Sequence, residues 1–346
     1  MHDIKRKILI DINHPAHVHF FKNPIKTLVK NGHSVIVTSR NKEFASELLA
    51  GLNLEYRVLS STGNPGLFPL MKELLVRDYR LYKLVKQERP DVLASIGGTF
   101  IAHVGFITRT TSLVFYDTEI ANLQNMITYP FCSKLFVPDC YAGRVPERKT
   151  TRYKGYHELS YLRPEVFTPL KDTAIENGLD PVRKNYFIRL VAWAANHDVG
   201  YRGIKTESLH ELINRLSASG NVIISSEKPL PMEFARYLYK GNISEVHHVL
   251  ACCDLYIGES ATMASESAAL GIPAIYIADS FRGYVDDIGK RYGLIKSVNK
   301  FTTDSVMTII DEMTCRDKNY WKEKRSQLLD ECINVSDFVV DCILKN

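Results

Sequence analysis

The feature that most constrains the fold is an alternation of short β-branched runs with longer stretches of helical period. This alternation is typical of βαβ units, which form parallel sheets covered by helices. It occurs twice along the chain. The strands predicted in the first series are Lys7–Ile12, Ser34–Thr38, Glu55–Leu59, Val92–Ile96, Ser112–Tyr116 and Lys134–Val137. Those in the second series are Tyr186–Trp193, Asn221–Ser225, Leu255–Ile257 and Ala274–Ile277.

The segments between the strands show helical patterns. Pro24–Asn31 is predicted as a helix because Asn23 suits the cap position and Pro24 suits the first turn. Leucines near i, i+3 and i+4 spacing predict a longer helix over Pro69–Glu88. The other predicted helices are Lys42–Gly51, Thr206–Ser217, Pro231–Tyr239, His247–Ala251 and Thr262–Leu270.

The length of 346 residues fits two domains better than one, and the alternation breaks over Arg144–Asp180. We therefore expect a GT-B-like α/β architecture of two doubly wound, Rossmann-like parallel-sheet domains that face an interdomain cleft. The expected amino-terminal, acceptor-side domain is 1–160, followed by a linker over 161–182. The expected nucleotide-sugar-binding domain is 183–316. Residues 317–346 are expected to form terminal helices that could cross back to the first domain.

The charge balance and the apolar pattern exclude several classes of protein. There are 44 Lys+Arg and 39 Asp+Glu, a net charge of +5, which is too small for nucleic acid to be the expected partner. No apolar run reaches about 18 residues, so we expect neither a membrane span nor a signal peptide. The 7 cysteines are scattered without a CxxC pair, as in a reduced, cytoplasmic protein.

Loops that follow the strands of a parallel sheet carry its ligand contacts. His14 and His17 follow the first predicted strand, and an imidazole with a pKa of about 6.5 suits deprotonation of a hydroxyl. These histidines could instead order the loop, and no local acid or cysteine completes a metal site with them. Gly97, Gly98 and Thr99 follow another strand, where they allow either close approach of a ligand or a tight turn.

Charged residues follow one further strand and lie on another. Asp117 is expected to line the cleft or to cap a helix, and Glu119 is the alternative to His17 as a catalytic base. Arg189 lies on the first strand of the second series. Its guanidinium could neutralise a departing diphosphate or form a structural ion pair.

The segment from Gly258 to Pro273 is the most informative part of the sequence. Ser260, Ala261 and Thr262 are small residues at a predicted helix start, where backbone N–H groups and the helix dipole can hold a phosphate. Glu266 lies on the same helix, so its carboxylate could accept both hydroxyls of a ribose. An ordinary capped helix with a surface glutamate explains the local pattern equally well.

The run from His247 to Ser260, followed by Glu266 and Leu270-Gly271-Ile272-Pro273, resembles the donor-binding half of GT-B glycosyltransferases and non-hydrolysing UDP-N-acetylglucosamine 2-epimerases. With His14-Pro15-Ala16-His17 and Lys154–Leu162, the chain also resembles a poorly characterised prokaryotic GT-B-like family related to MurG-type glycosyltransferases.

That resemblance implies that Ser260, Ala261 and Thr262 contact the diphosphate and that Glu266 binds the ribose. It places His17 where many GT-B enzymes hold a proposed base. It also matches the loops of Gly97, Gly98, Thr99 and Asp117 to the acceptor side. His14 and His157 are further candidate cleft positions, and His157 could instead belong to an interdomain hinge.

The sequence thus favours a metal-independent glycosyltransferase that moves a sugar from a nucleotide sugar, with UDP as its nucleotide, to a hydroxyl acceptor. The acceptor is expected to be a saccharide or a lipid-linked molecule of surface polysaccharide or glycolipid biosynthesis. No cofactor or metal is expected. A UDP-sugar 2-epimerase and a non-enzymatic sugar-nucleotide-binding protein are the alternatives. Peripheral contact at the inner membrane face would use the apolar run Leu67–Met71, which a buried helix start also explains.

Overall fold

Two parallel β-sheets form the framework of the chain in a computed structural model. The structure describes residues 5–41, 48–49, 55–61, 67–192, 204, 206–278, 282–299 and 301–346. The chain divides into two units: Met1–Tyr161 with Ile333–Asn346, and Leu162–Cys332. All strand pairs between named strands in these described residues are parallel, as the alternation predicts.

The described sheet of the first unit has seven strands in the order β3-β2-β1-β4-β5-β6-β7. Its strands are β1 (Lys7–Ile12), β2 (Ser34–Asn41), β3 (Tyr56–Ser61), β4 (Val92–Ile96), β5 (Thr111–Phe115), β6 (Lys134–Pro138) and β7 (Thr150–Tyr153). The order runs outward from β1 in both directions, which is the doubly wound arrangement. Ile8, Leu9 and Ile10 of β1 are fully buried because both faces of the sheet are covered.

Four helices of this unit connect its described strands. They are α1 (Pro15–Lys30), α2 (Leu67–Glu88), α3 (Thr99–Thr108) and α4 (Asn122–Thr128). The apolar run Leu67–Met71 is the start of α2 rather than a loop. The predicted helix Lys42–Gly51 lies outside the described residues except for Leu48 and Leu49, which are helical.

Helix α1 begins at Pro15, so the predicted start at Pro24 is wrong. The His14 side chain caps the helix, since its Nδ1 accepts a hydrogen bond from the Ala16 N–H at 3.2 Å. Pro15 occupies the first turn, where its missing N–H costs nothing.

Pro24 lies inside α1 and cannot donate to the carbonyl one turn earlier, that of Phe20. The Ser160 hydroxyl supplies the missing donor at 2.6 Å from the Phe20 oxygen. Asn23 donates from Nδ2 to the Ser160 carbonyl at 2.9 Å instead of capping a helix. Two hydrogen bonds near Pro24 therefore connect α1 to the short 3₁₀ helix His157–Ser160.

The described sheet of the second unit has five strands in the order β12-β11-β10-β8-β9. Its strands are β8 (Lys184–Leu190), β9 (Gly220–Ser226), β10 (Leu255–Gly258), β11 (Ala274–Ile277) and β12 (Ile295–Val298). Its helices are α5 (Lys171–Glu176), α6 (Thr206–Ser219), α7 (Val246–Leu250), α8 (Ala261–Leu270), α9 (Gly283–Tyr292), α10 (Thr303–Thr314) and α11 (Lys318–Glu331). The predicted helix Pro231–Tyr239 is a shorter 3₁₀ helix, Met232–Tyr237, and beyond its end the Tyr239 N–H donates to the Ile224 carbonyl of β9.

The last helix, α12 (Val335–Lys345), belongs to the first unit. The Arg6 guanidinium donates to its Ile343 carbonyl at 3.2 Å, and the Ile333 N–H donates to the Lys154 carbonyl at 2.9 Å. Residues 162–182 belong to the second unit, where they include α5. No helix in the described part of the chain is long and apolar enough to span a membrane.

Candidate functional site

Helix α8 begins directly after β10, at the carboxyl end of the second sheet. Ser260 caps it, with its hydroxyl accepting from the Met263 N–H at 3.3 Å. Helix geometry gives the N–H groups of Ala261 and Thr262 no acceptor within the helix, and the dipole makes this end positive. The structure thus brings the three predicted phosphate-binding residues together in a geometry that suits an anion.

Glu266 lies further along α8 and is 5% exposed, so it is not a surface glutamate. Its Oε1 lies 3.0 Å from Nε2 of His247 on α7. A buried carboxylate requires such a partner, because burial without one is costly. Sequence reasoning quoted His247 only as part of a motif and missed this pairing, since the two residues lie on different helices.

Glu259 directly precedes the cap residue Ser260, and its carboxylate binds backbone N–H groups. Its carboxylate accepts from the Val191 N–H at 2.8 Å and from the Ile204 N–H at 2.5 Å. The side chain is buried, and the Lys228 ammonium lies 3.7 Å away. Both carboxylate oxygens therefore already have donors.

Arg189 lies beside this helix start, because its backbone is in register with Gly258 of β10. A Cβ at Gly258 would lie 2.6 Å from the Arg189 carbonyl oxygen, so this position requires glycine. The guanidinium forms an ion pair with Glu227 and donates to the Ser225 hydroxyl at 2.6 Å. This geometry favours the ion-pair interpretation of Arg189.

In the first unit, His14 and His17 both form hydrogen bonds with backbone N–H groups near the end of β1. His14 is the helix cap, and its ring centroid lies 5.9 Å from that of His17. Nδ1 of His17 accepts from the Asn13 N–H at 3.3 Å. Both rings therefore lie at the carboxyl end of β1, as predicted.

Asp117 follows β5, and its Oδ2 lies 3.0 Å from Nδ1 of buried His157. Burial alone would raise the pKa of Asp117, but the charge and hydrogen bond of His157 hold it below its ordinary value. Burial would likewise lower the pKa of His157, but Asp117 raises it above the ordinary value. When His17 is protonated, its charge also lowers the pKa of Asp117.

Gly97 and Gly98 adopt φ values of +70° and +51°, in the left-handed region that favours glycine. A Cβ at Gly98 would lie 2.6 Å from a methyl group of Val114. The Thr99 hydroxyl pairs with that of Thr128 at 2.8 Å. These contacts explain all three residues as a tight turn into α3.

Glu119 lies beside a cluster of phenols after β5. Its Oε1 accepts from the Ala142 N–H at 3.5 Å. The pKa of Tyr116 is raised above its ordinary value, mainly by burial. The charges of Asp117 and Glu119 raise it further. Among the residues that the structure describes, no group of three or more histidine, cysteine or acidic residues could hold a metal ion.

The two parallel-sheet units and their strand-end loops define an α/β protein of GT-B fold, and comparison with solved structures agrees. The UDP-N-acetylglucosamine 2-epimerase of Methanocaldococcus jannaschii has a TM-score of 0.71 and 14% identity, covering 98% of this chain and 100% of that one. MurG of Acinetobacter baumannii has a TM-score of 0.62 and 14% identity, with the same coverage of 98% and 100%.

The chain belongs to the family described as protein of unknown function (DUF354), whose model matches residues 6–344. Among the curated relatives, a protein of Blochmanniella floridana is 22% identical over 313 residues, covering 82% of each chain. That relative is named as the N-acetylglucosamine transferase that acts on N-acetylmuramyl-(pentapeptide) pyrophosphoryl-undecaprenol. The predicted family resemblance is confirmed.

Proposed function

We propose that this protein is a glycosyltransferase that moves a sugar from a UDP-sugar to the hydroxyl of a saccharide or lipid-linked acceptor of surface polysaccharide or glycolipid biosynthesis. The donor would bind at the carboxyl end of the second sheet, and the acceptor at that of the first. The name of the relative from Blochmanniella floridana supports a transferase of this kind. The names of the epimerases support UDP as the nucleotide.

The observation that carries this proposal is the pairing of an anion site with a buried carboxylate on a single helix. The first N–H groups of α8 would hold the diphosphate, and Glu266 on the same helix would accept the ribose hydroxyls. His247 contacts Oε1 of Glu266, which orients the carboxylate. A nucleoside diphosphate carries both groups, a diphosphate and a ribose with two hydroxyls, in one molecule.

The contacts of Glu259 favour a transferase over an isomerase. Inversion at C2 of the sugar needs acids and bases that remove and return a carbon-bound proton as UDP leaves and returns. Glu259 is the acid nearest the start of α8 along the chain, and its two oxygens accept the N–H groups of Val191 and Ile204. Transfer to a hydroxyl needs only one base, for which His17 and Glu119 are the proposed candidates, and we propose that it needs no metal.

Calorimetric titration of UDP, with GDP and ADP for comparison, tests the donor site. We expect saturable UDP binding that weakens at least about 100-fold in Glu266→Ala, because the variant loses two hydrogen bonds to a charged group, each of which contributes about 1.5–3 kcal/mol. Glu312→Ala, which removes an exposed carboxylate on α10, is the matched control and should bind normally. Absence of UDP binding would refute both the transferase and the epimerase.

Incubation with UDP-N-acetylglucosamine in D₂O separates the two reactions. An epimerase breaks the C2–H bond, so recovered donor would carry deuterium at C2 and NMR would show the second epimer. A transferase leaves C2 unlabelled: it transfers the sugar to an acceptor or, slowly, to water, and UDP is released as the leaving group. Added EDTA should leave this release unchanged if no metal is required.

A further inference from the structure

A buried ion pair lies beneath the loop that carries His17. Arg77 of α2 and Asp11 of β1 are both fully buried, and Nη2 of Arg77 lies 2.7 Å from Oδ1 of Asp11. The Phe100 ring covers the guanidinium at 4.5 Å, and the Ser60 hydroxyl accepts from its Nη1 at 2.9 Å. The pair holds a fixed geometry, because separating Arg77 from Asp11 would leave each with an uncompensated charge in the interior.

The carboxylate of Asp11 has a second set of partners that reaches the loop. Its Oδ1 also accepts from the Thr38 hydroxyl at 2.7 Å, and its Oδ2 accepts from Nδ2 of Asn13 at 3.0 Å. The orientation of the Asn13 amide follows from chemistry, since a carboxylate only accepts and Nδ2 is the donor of the amide. Asn13 is thereby attached to the ion pair at the carboxyl end of β1.

Asn13 also contacts the imidazole of His17. Its backbone N–H donates to Nδ1 of His17 at 3.3 Å. A ring nitrogen that accepts carries no proton, so the neutral imidazole has its proton on Nε2. The hydrogen-bond chain from Arg77 through Asp11 and Asn13 therefore selects one of the two tautomers.

We infer that Asp11 and Asn13 are positioning residues that hold His17 as a hydrogen-bond donor with its proton on Nε2. Nδ1, the atom that could take a proton, is occupied by the Asn13 N–H. Within the proposed transferase, on which this catalytic meaning rests, His17 would donate to an oxygen of the substrate. Glu119 would then be the base.

Nitrogen-15 NMR of the histidine rings tests the tautomer without any substrate, so its outcome does not depend on the proposed function. The His17 signals are identified by their loss in His17→Gln. We expect the wild-type ring, above its pKa, to show a protonated Nε2 and an unprotonated Nδ1. Asn13→Ala should shift both signals towards a mixture of tautomers, because the loop loses its attachment to Asp11.

Ser112→Ala is the matched control, since it removes a buried hydroxyl bonded to Ser133 at the amino end of β5. Its His17 signals should match the wild type. If Asn13→Ala fails to fold, Asn13→Ser, which keeps a short polar group, takes its place. A wild-type proton on Nδ1, or a tautomer that Asn13 variants leave unchanged, would overturn the inference.

Release of UDP from UDP-N-acetylglucosamine then tests whether His17 acts as a hydrogen-bond donor to the substrate. Glutamine can place an amide N–H near the position of Nε2, whereas it cannot act as a base. We expect His17→Gln to remain within about tenfold of wild-type turnover while His17→Ala loses about 10²–10³-fold. Equal losses in both variants would assign His17 as the base and refute the donor role.

Discussion

Asp117 and His157 each stabilise the charged form of the other in the interior of the first unit. The pKa of His157 is above its ordinary value of about 6.5 despite burial, because Asp117 lies 3.0 Å away. In Asp117→Asn, only the smaller effect of the Glu158 charge still opposes burial, so the pKa of His157 should fall. Proton NMR titration of the ring measures it. Asp78→Asn is the control, because it should lower the pKa of His103, which Asp78 raises, and leave His157 unchanged.

The same pair makes stability depend on pH in a defined window. The raised pKa of His157 stabilises the fold fully below about 6.5, and this stabilisation is lost as pH rises through the folded-state value. The lowered pKa of Asp117 stabilises the fold above about 3.9, and this stabilisation is lost as pH falls through its folded-state value. Urea unfolding of the wild type should therefore show a higher unfolding free energy between about pH 3.9 and 6.5 than at pH values outside this window. In Asp117→Asn this difference in unfolding free energy should be smaller.

His247 is expected to act on nucleotide binding only through Glu266. Its Nε2 lies 3.0 Å from Glu266 Oε1, so His247→Ala removes a contact that orients the carboxylate. UDP affinity should fall about tenfold, the effect of one hydrogen bond to a charged group. Calorimetry of a double-mutant cycle decides the route, since His247→Ala should cost nothing further in a Glu266→Ala background. Independent losses in the two backgrounds would mean that His247 contacts the nucleotide itself.

At the scale of elements, Pro24 makes α1 depend on a residue distant in the chain. The Ser160 hydroxyl bonds the Phe20 carbonyl that Pro24 leaves without a helical donor. Ser160→Ala should cost about 1–3 kcal/mol of unfolding free energy, because it orphans a buried acceptor. In Pro24→Ala the new N–H can donate to Phe20, so the same change should cost about 1 kcal/mol less. Equal costs in the two backgrounds, measured by urea unfolding, would contradict this coupling.

The sequence predicted best those elements whose pattern is set by burial. Lys7–Ile12, Val92–Ile96 and Ala274–Ile277 have the predicted bounds because both faces of a parallel sheet demand apolar residues. The edge strand Thr150–Tyr153 was missed, since two of its four residues are exposed and its polar sequence has no period.

The candidate site divides in the same way. Loop position after a strand correctly located His17, Asp117 and the start of α8, because chain order alone fixes which strand end each loop follows. Partners such as Arg77 for Asp11 lie 66 residues apart, and single-sequence patterns carry no signal for such pairs. The roles of the site residues remain predictions.

At the scale of the molecule, the chain returns to its first unit with its last helix. Ile343 of α12 and Leu328 of α11 are both fully buried aliphatic residues near the carboxyl terminus, yet they belong to different units. Each substitution to alanine should cost about 2–5 kcal/mol. Hydrogen exchange monitored along the chain should then accelerate in residues 5–161 for Ile343→Ala and in residues 162–332 for Leu328→Ala, because local opening follows the unit that loses the contact. Acceleration confined to 162–332 in Ile343→Ala would show that α12 stabilises the second unit instead.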